Sequence, residues 1–329
     1  MITRRQIVVS LGLGLLATPY AALAQPAGRI PRIGVLWHAG SAEEEGPFFR
    51  ALNEGFKDLG YVDGRNIIIE HRFPNEIAER FRSMAAELVS LKVDVLVGVG
   101  AVTASVVKNA TTTIPVVFVF APDPVGTKLV DSLARPGGNA TGLTSLSDGL
   151  IGKRLQYLKE AIPGLSRVAF LVSPGASISQ VFIEEAQGAA ANIGLKVQPV
   201  EVRTLDELEP AFDAMMKARI QAVATSGGGV FFQGRAQIAK LALARRLATC
   251  FHNAEFAEAG ALISYGPDQR AMIRRAATYV DKILKGANPR ELPVEQPMTF
   301  EFVINMKTAK ALGIKFPNLT LLQATRVIE

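Results

Sequence analysis

Cysteine occurs once in the 329 residues, at Cys250, which excludes an intramolecular disulfide. The fold must then be held by its apolar core rather than by covalent staples. Cys250 sits in Ala248-Thr249-Cys250-Phe251, which reads as a buried strand, where a free cysteine behaves as a small hydrophobe. Histidine occurs three times, at His38, His71 and His252, with no metal-ligand spacing among them. No Gly-x-Ser-x-Gly elbow is present, so the usual nucleophile of an α/β hydrolase is missing. Neither sign of charge dominates: 36 basic residues stand against 30 acidic ones. The basic residues are scattered, without an arginine-rich strip or interleaved aromatics, which speaks against a nucleic-acid partner. After residue 24 no apolar run reaches the roughly 20 residues that a membrane-spanning helix needs.

What is there begins at the start of the chain. Arg4 and Arg5 precede an apolar run over 7–17, and Ala22-Leu23-Ala24 offers a small-x-small cleavage site before Gln25. These are the three parts of a secretory signal. Thr3-Arg4-Arg5-Gln6 resembles a twin-arginine address, and the ordinary and twin-arginine routes both remain open. The expected product starts near Gln25 and lies outside the cytoplasm, in the periplasm of a cell with two membranes. No cysteine lies near the cleavage site to carry a lipid anchor. Removing 24 of 329 residues leaves 305, and loss of Arg4 and Arg5 lowers the net charge from +6 to +4. A chain of that length suits two domains.

The remaining sequence alternates apolar runs with amphipathic ones. Strands are predicted over 32–37, 67–72, 93–99 and 115–120, with helices over 47–59 and 77–90 and another opening at 103–109. This βαβ alternation implies a parallel, doubly wound sheet. The densest turn cluster, Arg135 to Gly142, punctuates the chain, and the alternation then restarts. The second unit is predicted to hold helices over 151–161, 179–193, 205–218 and 233–246. Its strands are expected over 167–172, 196–202, 222–225, 248–251 and 262–265. A long helix over 268–284, a Pro-rich connector over 288–297, a strand over 300–305 and a helix over 307–312 close the chain. The connector is expected to act as a hinge strand.

In open parallel sheets, ligands bind outside the carboxyl ends of the strands. The loops at those ends offer Trp37, His38 and Ser41; Gly100, Ala101, Val102 and Thr103; and Asp123 between two prolines. The restart offers Thr144 and Ser145, and the second unit Ser173, Ser226 with Gly227, and Tyr265 with Asp268. Such Gly/Ser/Thr loops at helix N-termini hold anions, a carboxylate above all. Thr103 and the amides of Gly100–Val102 are candidates for that carboxylate, and Thr103 is equally a candidate helix cap. Asp123 either meets a ligand ammonium or caps the helix after it. Trp37 and Tyr265 either stack on a ligand ring or pack in the core. Gly98-x-Gly100-x-x-Thr103 follows a strand like a dinucleotide fingerprint but lacks the third glycine. No cofactor and no catalytic group is therefore expected.

Several longer segments carry a resemblance. Ile114-Pro115-Val116-Val117-Phe118, Asp123-Pro124-Val125-Gly126 and the stretch from Leu133 to Gly142 resemble ABC-transporter substrate-binding proteins of the tryptophan/tyrosine-binding type. Gly152-Lys153-Arg154-Leu155 resembles the start of their second lobe. Ser264 to Asp268, Tyr279 to Gly286, Leu292 to Pro297 and Ile304 to Gly313 extend the match along the chain. The resemblance implies a type I periplasmic-binding-protein fold: two α/β lobes joined by hinge strands, with a ligand in the cleft. Lobe 1 is expected over 30–142 and about 267–297, lobe 2 over 143–266 and about 298–329. It also implies a monomer that closes on a small ligand, an amino acid or organic acid, and docks on an ABC permease in the inner membrane. A ligand-binding sensor that reports to a membrane receptor remains the alternative.

Overall fold

The structure is a computed structural model that describes residues 29–145, 149–173 and 178–329. The export segment and the cleavage site over 1–24 lie outside the described residues.

The first sheet is built as the alternation predicts. It comprises β1 (Arg32–Leu36), β2 (Ile68–Arg72), β3 (Val95–Val99), β4 (Val116–Ala121) and β5 (Ala140–Thr144). The strands are all parallel, in the order β2-β1-β3-β4-β5. Every residue of β3 is buried, as a strand covered on both faces requires. The helices α1 (Ala42–Glu45), α2 (Pro47–Asp58), α3 (Ala78–Ser90) and α4 (Ala101–Ala110) follow the strands. Pro47 opens α2, where its missing N–H is no loss.

β5 is the strand that the sequence pattern hides. It lies in the glycine- and proline-rich punctuation, so the first sheet runs on to Thr144 rather than stopping at 142. Gly142 lies at the centre of β5, where a φ of 151° and contact with the backbone of Phe118 leave no room for a side chain. The 288–297 connector runs beside β5: Thr144 N–H donates to the Glu295 carbonyl and Glu295 N–H to that of Gly142, each at 3.0 Å, so that Leu143 bridges Glu295. It forms this single bridge rather than a continuous strand.

The second sheet holds β6 (Arg167–Val172), β7 (Lys196–Glu201), β8 (Ala222–Thr225), β9 (Ala248–Phe251), β10 (Ile263–Pro267), β11 (Phe300–Asn305) and β12 (Arg326–Ile328). Its order is β12-β11-β10-β9-β8-β6-β7, parallel except for the β10–β11 pair. Its helices are α5 (Leu150–Ala161), α6 (Ile178–Asn192), α7 (Leu208–Lys217), α8 (Gly229–Gln233), α9 (Arg235–Ala244) and α10 (Ala254–Glu258). The helix predicted over 233–246 forms as α9, and the short α8 precedes it, the two separated at Gly234, which packs against Leu205 and Leu208. The long helix α11 (Gln269–Leu284) leaves β10 and packs on α2 of the first lobe, where Gly55 sits against the carbonyl of Arg274. After the connector, α12 (Met306–Leu312) and α13 (Asn318–Gln323) return to the second lobe. Each sheet has a core on both faces. Cys250 is buried in β9. Burial holds its thiol up at about 12, so it stays protonated and inert.

Candidate functional site

Both sheets change winding direction once. In the first, β1 and β3 lie side by side although β2 intervenes in sequence; in the second, β6 and β8 do so around β7. A crevice opens at the carboxyl ends of such a pair. The residues that follow these four strands, His38, Gly100, Ser173 and Ser226, all line one cavity of about 200 Å³ between the lobes.

On the first-lobe side α4 points its N-terminus into the cavity. Gly98 lets α4 approach β3, since a Cβ there would strike Val107 and Ala104, and Gly100 turns the chain at a φ of 112°. The dinucleotide-like spacing thus has a packing cause. Gly100 is the N-cap and offers no side-chain cap, so the first-turn amides at Ala101, Val102 and Thr103 face the cavity without one. The buried Thr103 does not cap α4: its hydroxyl donates to the carbonyl of Gly100 at 2.7 Å. On the second-lobe side α8 repeats the device, with the N-cap Gly228 at a φ of 125° and again no side-chain cap. α4, ten residues long, therefore presents the positive end of a helix dipole to the cavity, whereas α8, with five, is too short to add one. The rest of the wall is aromatic: Phe48, Phe120, Phe182 and Phe232.

The lobes touch through α8. Val230 and Phe231 insert into the second-lobe core, whereas Phe232, the next residue, inserts into the first-lobe core. The Phe232 ring stacks on Phe48 at 4.6 Å and meets His38 edge-on, with the Arg235 guanidinium 4.3 Å above it. Beside it the Gln233 amide donates to Glu44 and to Asn75, each at 2.9 Å.

Three titratable groups surround this contact. Glu45 is fully buried and accepts the backbone N–H groups of His38 and Ala39 at 3.0 and 2.9 Å. The His38 imidazole lies between Glu45 and Glu76, 3.4 Å from each. Burial pulls its pKa down, but Glu45 and Glu76 together outweigh burial and hold it above the ordinary 6.5. Glu76 is the one carboxylate on the cavity wall among the described residues.

Arg154 enters from α5. Its position follows from the helical period, since Ile151, Arg154, Leu155 and Leu158 share the buried face. Only 4% of it is exposed. Its Nε donates to the carbonyl of Tyr265 at 3.0 Å and its Nη1 to that of Thr225 at 3.5 Å. Among the described residues no carboxylate is in ion-pair contact with it, although the charge of Glu185 acts on it from further away. Burial lowers its pKa, yet an arginine stays charged. A buried charge without a counter-ion costs several kcal/mol. His252 and Asn253 stand on the same wall, and each keeps a buried side-chain atom without a partner, Nδ1 and Oδ1 respectively.

Burial, and then the charge of Arg154, push the His252 imidazole down to about 3. It is neutral in the fold and gains a proton in the unfolded chain below about pH 6.5. A depressed histidine pKa gives stability that is complete above that pH and is lost as the pH falls towards the folded value. The melting temperature is accordingly expected to drop between about pH 6.5 and pH 4, and to drop less in His252→Asn. His71, pushed to about 4 by burial, accounts for a further part of the slope. Equal slopes in the two proteins would contradict this assignment.

Of the residues singled out from the sequence, the cavity brings together His38, Gly100, Ala101, Val102, Thr103 and Ser145 with Ser173, Ser226 and Gly227. The other six stand elsewhere. Trp37 is fully buried in the first-lobe core, donates to His71 Nδ1 at 3.0 Å and stacks on Phe73. Ser41 caps α1 by accepting from Glu44 N–H. Asp123 accepts from Gly126 N–H at 2.8 Å and so closes a turn; the helix expected after it is not formed. Thr144 is buried and donates to the Ala121 carbonyl. Tyr265 packs with Tyr157, Phe300 and Phe302. Asp268 caps α11 through Ala271 N–H. Each is engaged by local structure and lies outside the residues that line the cavity.

With this geometry in view, residues 47–328 match the family model described as ABC transporter substrate binding protein. The chain belongs to that family. It is 25% identical, over 268 residues, to a tyrosine-binding protein of Clostridioides difficile, covering 82% of this chain and 76% of the relative. A Streptococcus pneumoniae ABC domain solved in complex with L-Trp superposes with a TM-score of 0.83 at 25% identity, covering 91% of this chain and all of that one. A conserved domain protein of Vibrio cholerae gives 0.84 at 26% identity, with the same coverage. The fold is that of the type I periplasmic binding proteins, and the family is one of solute-binding proteins. No helix among the described residues is long and apolar enough to cross a membrane.

Proposed function

We propose that the protein is the exported solute receptor of an ABC uptake transporter. It works in the periplasm as a monomer, without a cofactor, and performs no catalysis. Its lobes close on a small amino acid or organic acid with an apolar, aromatic-sized body, and the closed form docks on an inner-membrane permease. The observation that carries the reading is the cavity between the lobes, where the uncapped N-terminus of α4 and a buried arginine face four phenylalanines. A positive helix end suits a carboxylate, and the phenylalanine walls suit its hydrocarbon part. The relatives known with tyrosine and tryptophan support a ligand of that size and class. Hinge motion about the crossings near Thr144 and Pro267 and along the 288–297 connector supplies closure.

A thermal-shift screen of residues 25–329 against amino acids, aromatic acids and aliphatic acids tests this. Binding to the native state raises stability by roughly 2.7 kcal/mol at 100 times the dissociation constant. At least one acid of this class is expected to give a clear upward shift. No shift across the panel, with no small molecule released from the protein on denaturation, would sink the proposal.

A further inference from the structure

The cavity wall holds one cation, Arg154, that no carboxylate contacts among the described residues, Glu185 acting on it only from further away. Arg154 is almost completely buried. Two of its nitrogens donate to main-chain carbonyls, and its Nη2 has no acceptor among the described residues. Carbonyl dipoles do not neutralise a guanidinium, and removing such a charge from water without a counter-ion is unfavourable. The neighbouring groups do not answer it either. Glu76 is engaged with His38 on the facing lobe. Asn253, also buried, is oriented by its own bond to Gln269 at 2.8 Å, leaving its second amide atom free at the cavity. The guanidinium is a planar fork matched to a carboxylate.

We infer that Arg154 is the anion anchor of the cleft, so that a carboxylate is an obligatory part of the ligand and is seated on the second lobe at Arg154. This inference rests on the receptor reading above and narrows it. The ligand's apolar body then lies toward Phe48, Phe120, Phe182 and Phe232, and the far end of the ligand meets the first lobe. A free carboxylate seated on the second lobe would form a contact ion pair with Arg154, and the charge is buried with its partner when α8 closes on Phe48.

The test uses matched pairs that differ by the carboxylate: L-tryptophan and tryptamine, L-tyrosine and tyramine, phenylacetate and phenethyl alcohol, isovalerate and isoamyl alcohol. Each is titrated by calorimetry into the wild type, Arg154→Gln and Arg154→Lys, with circular dichroism confirming the fold of each variant. In the wild type the carboxylate member of at least one pair is expected to bind on the order of 100-fold more tightly than its mate. In Arg154→Gln that ratio is expected to collapse toward one. In Arg154→Lys, which keeps the charge without the fork, a preference of about tenfold is expected to remain, and this variant carries the test if the glutamine form does not fold. A purely structural role for Arg154 would weaken both members of a pair alike and leave the ratio standing, which overturns the inference. An unchanged ratio and affinity in Arg154→Gln would move the carboxylate to the α4 amides, overturning the inference while the receptor reading survives. Failure of every probe to bind the wild type would overturn both.

Discussion

Phe232→Ala is expected to weaken ligand binding by about 100-fold while both sheets stay folded. The reason is where this one side chain spends its apolar surface. In α8, Val230 and Phe231 belong to the second-lobe core, and Phe232, only 3% exposed, belongs to the first. Truncating a packed phenylalanine typically removes about 3–5 kcal/mol. Here the loss falls where a second-lobe side chain fills the first-lobe core, so it disfavours the closed form. A receptor whose competent form is less populated binds with an apparent affinity reduced by that fraction. At about 1.4 kcal/mol per factor of ten, a loss of roughly 3 kcal/mol gives two orders of magnitude. Calorimetric titration of wild type and variant with the same ligand reads the effect. An unchanged affinity would mean that α8 does not hold the lobes together.

Gly142→Ala carries the largest expected stability effect. Gly142 pairs with Phe118 between β4 and β5, in a wholly buried part of the first sheet. A Cβ at this position would lie 2.0 Å from the Phe118 carbonyl oxygen, and the φ of 151° is one that side chains rarely adopt. Both neighbours are main chain, so neither can turn aside as a flexible side chain would. The variant is expected to lose more than about 3 kcal/mol or to fail to fold. Gly286→Ala is the control: its φ is 97°, but nothing lies within 4 Å. Only the local backbone strain of about 1 kcal/mol applies there. Urea unfolding of the two variants separates crowding from strain, and similar losses in both would contradict the account.

The fold was legible because its strands are continuous apolar runs and its helices carry clear start and stop residues. β3, with every residue buried, and α2, with Pro47 at its first turn, are the plainest cases. β5 was not legible: glycine and proline usually end a strand, and here Gly142 is needed because two backbones touch. The half of the site made of loops was also readable, since His38, Gly100, Ser173 and Ser226 follow from strand ends alone. What escaped is whatever the tertiary fold brings in sideways. Arg154 lies a helical turn into α5, and Phe232 and Glu76 reach the cavity from elements that sequence order does not place beside it. The period of α5 did contain a signal, because an arginine at i+3 from Ile151 on an apolar face is itself anomalous. Conversely, Asp123, Asp268 and Ser41 looked available and are spent on turns and caps, the commoner use of such residues at helix starts. Trp37 illustrates the same limit for rings: an aromatic at a strand end can turn either way, and here His71 and Phe73 hold it inside.

Small-angle X-ray scattering of residues 25–329, with and without a saturating amount of the strongest ligand from the screen, tests the central claim most directly. The claim is that a small acid is held between two lobes that close on it. The radius of gyration is expected to fall on ligand addition, and the liganded curve to match the structure described here, with α8 seated against Phe48. Identical curves with the binding site demonstrably full would contradict it, and would place the ligand outside the cleft.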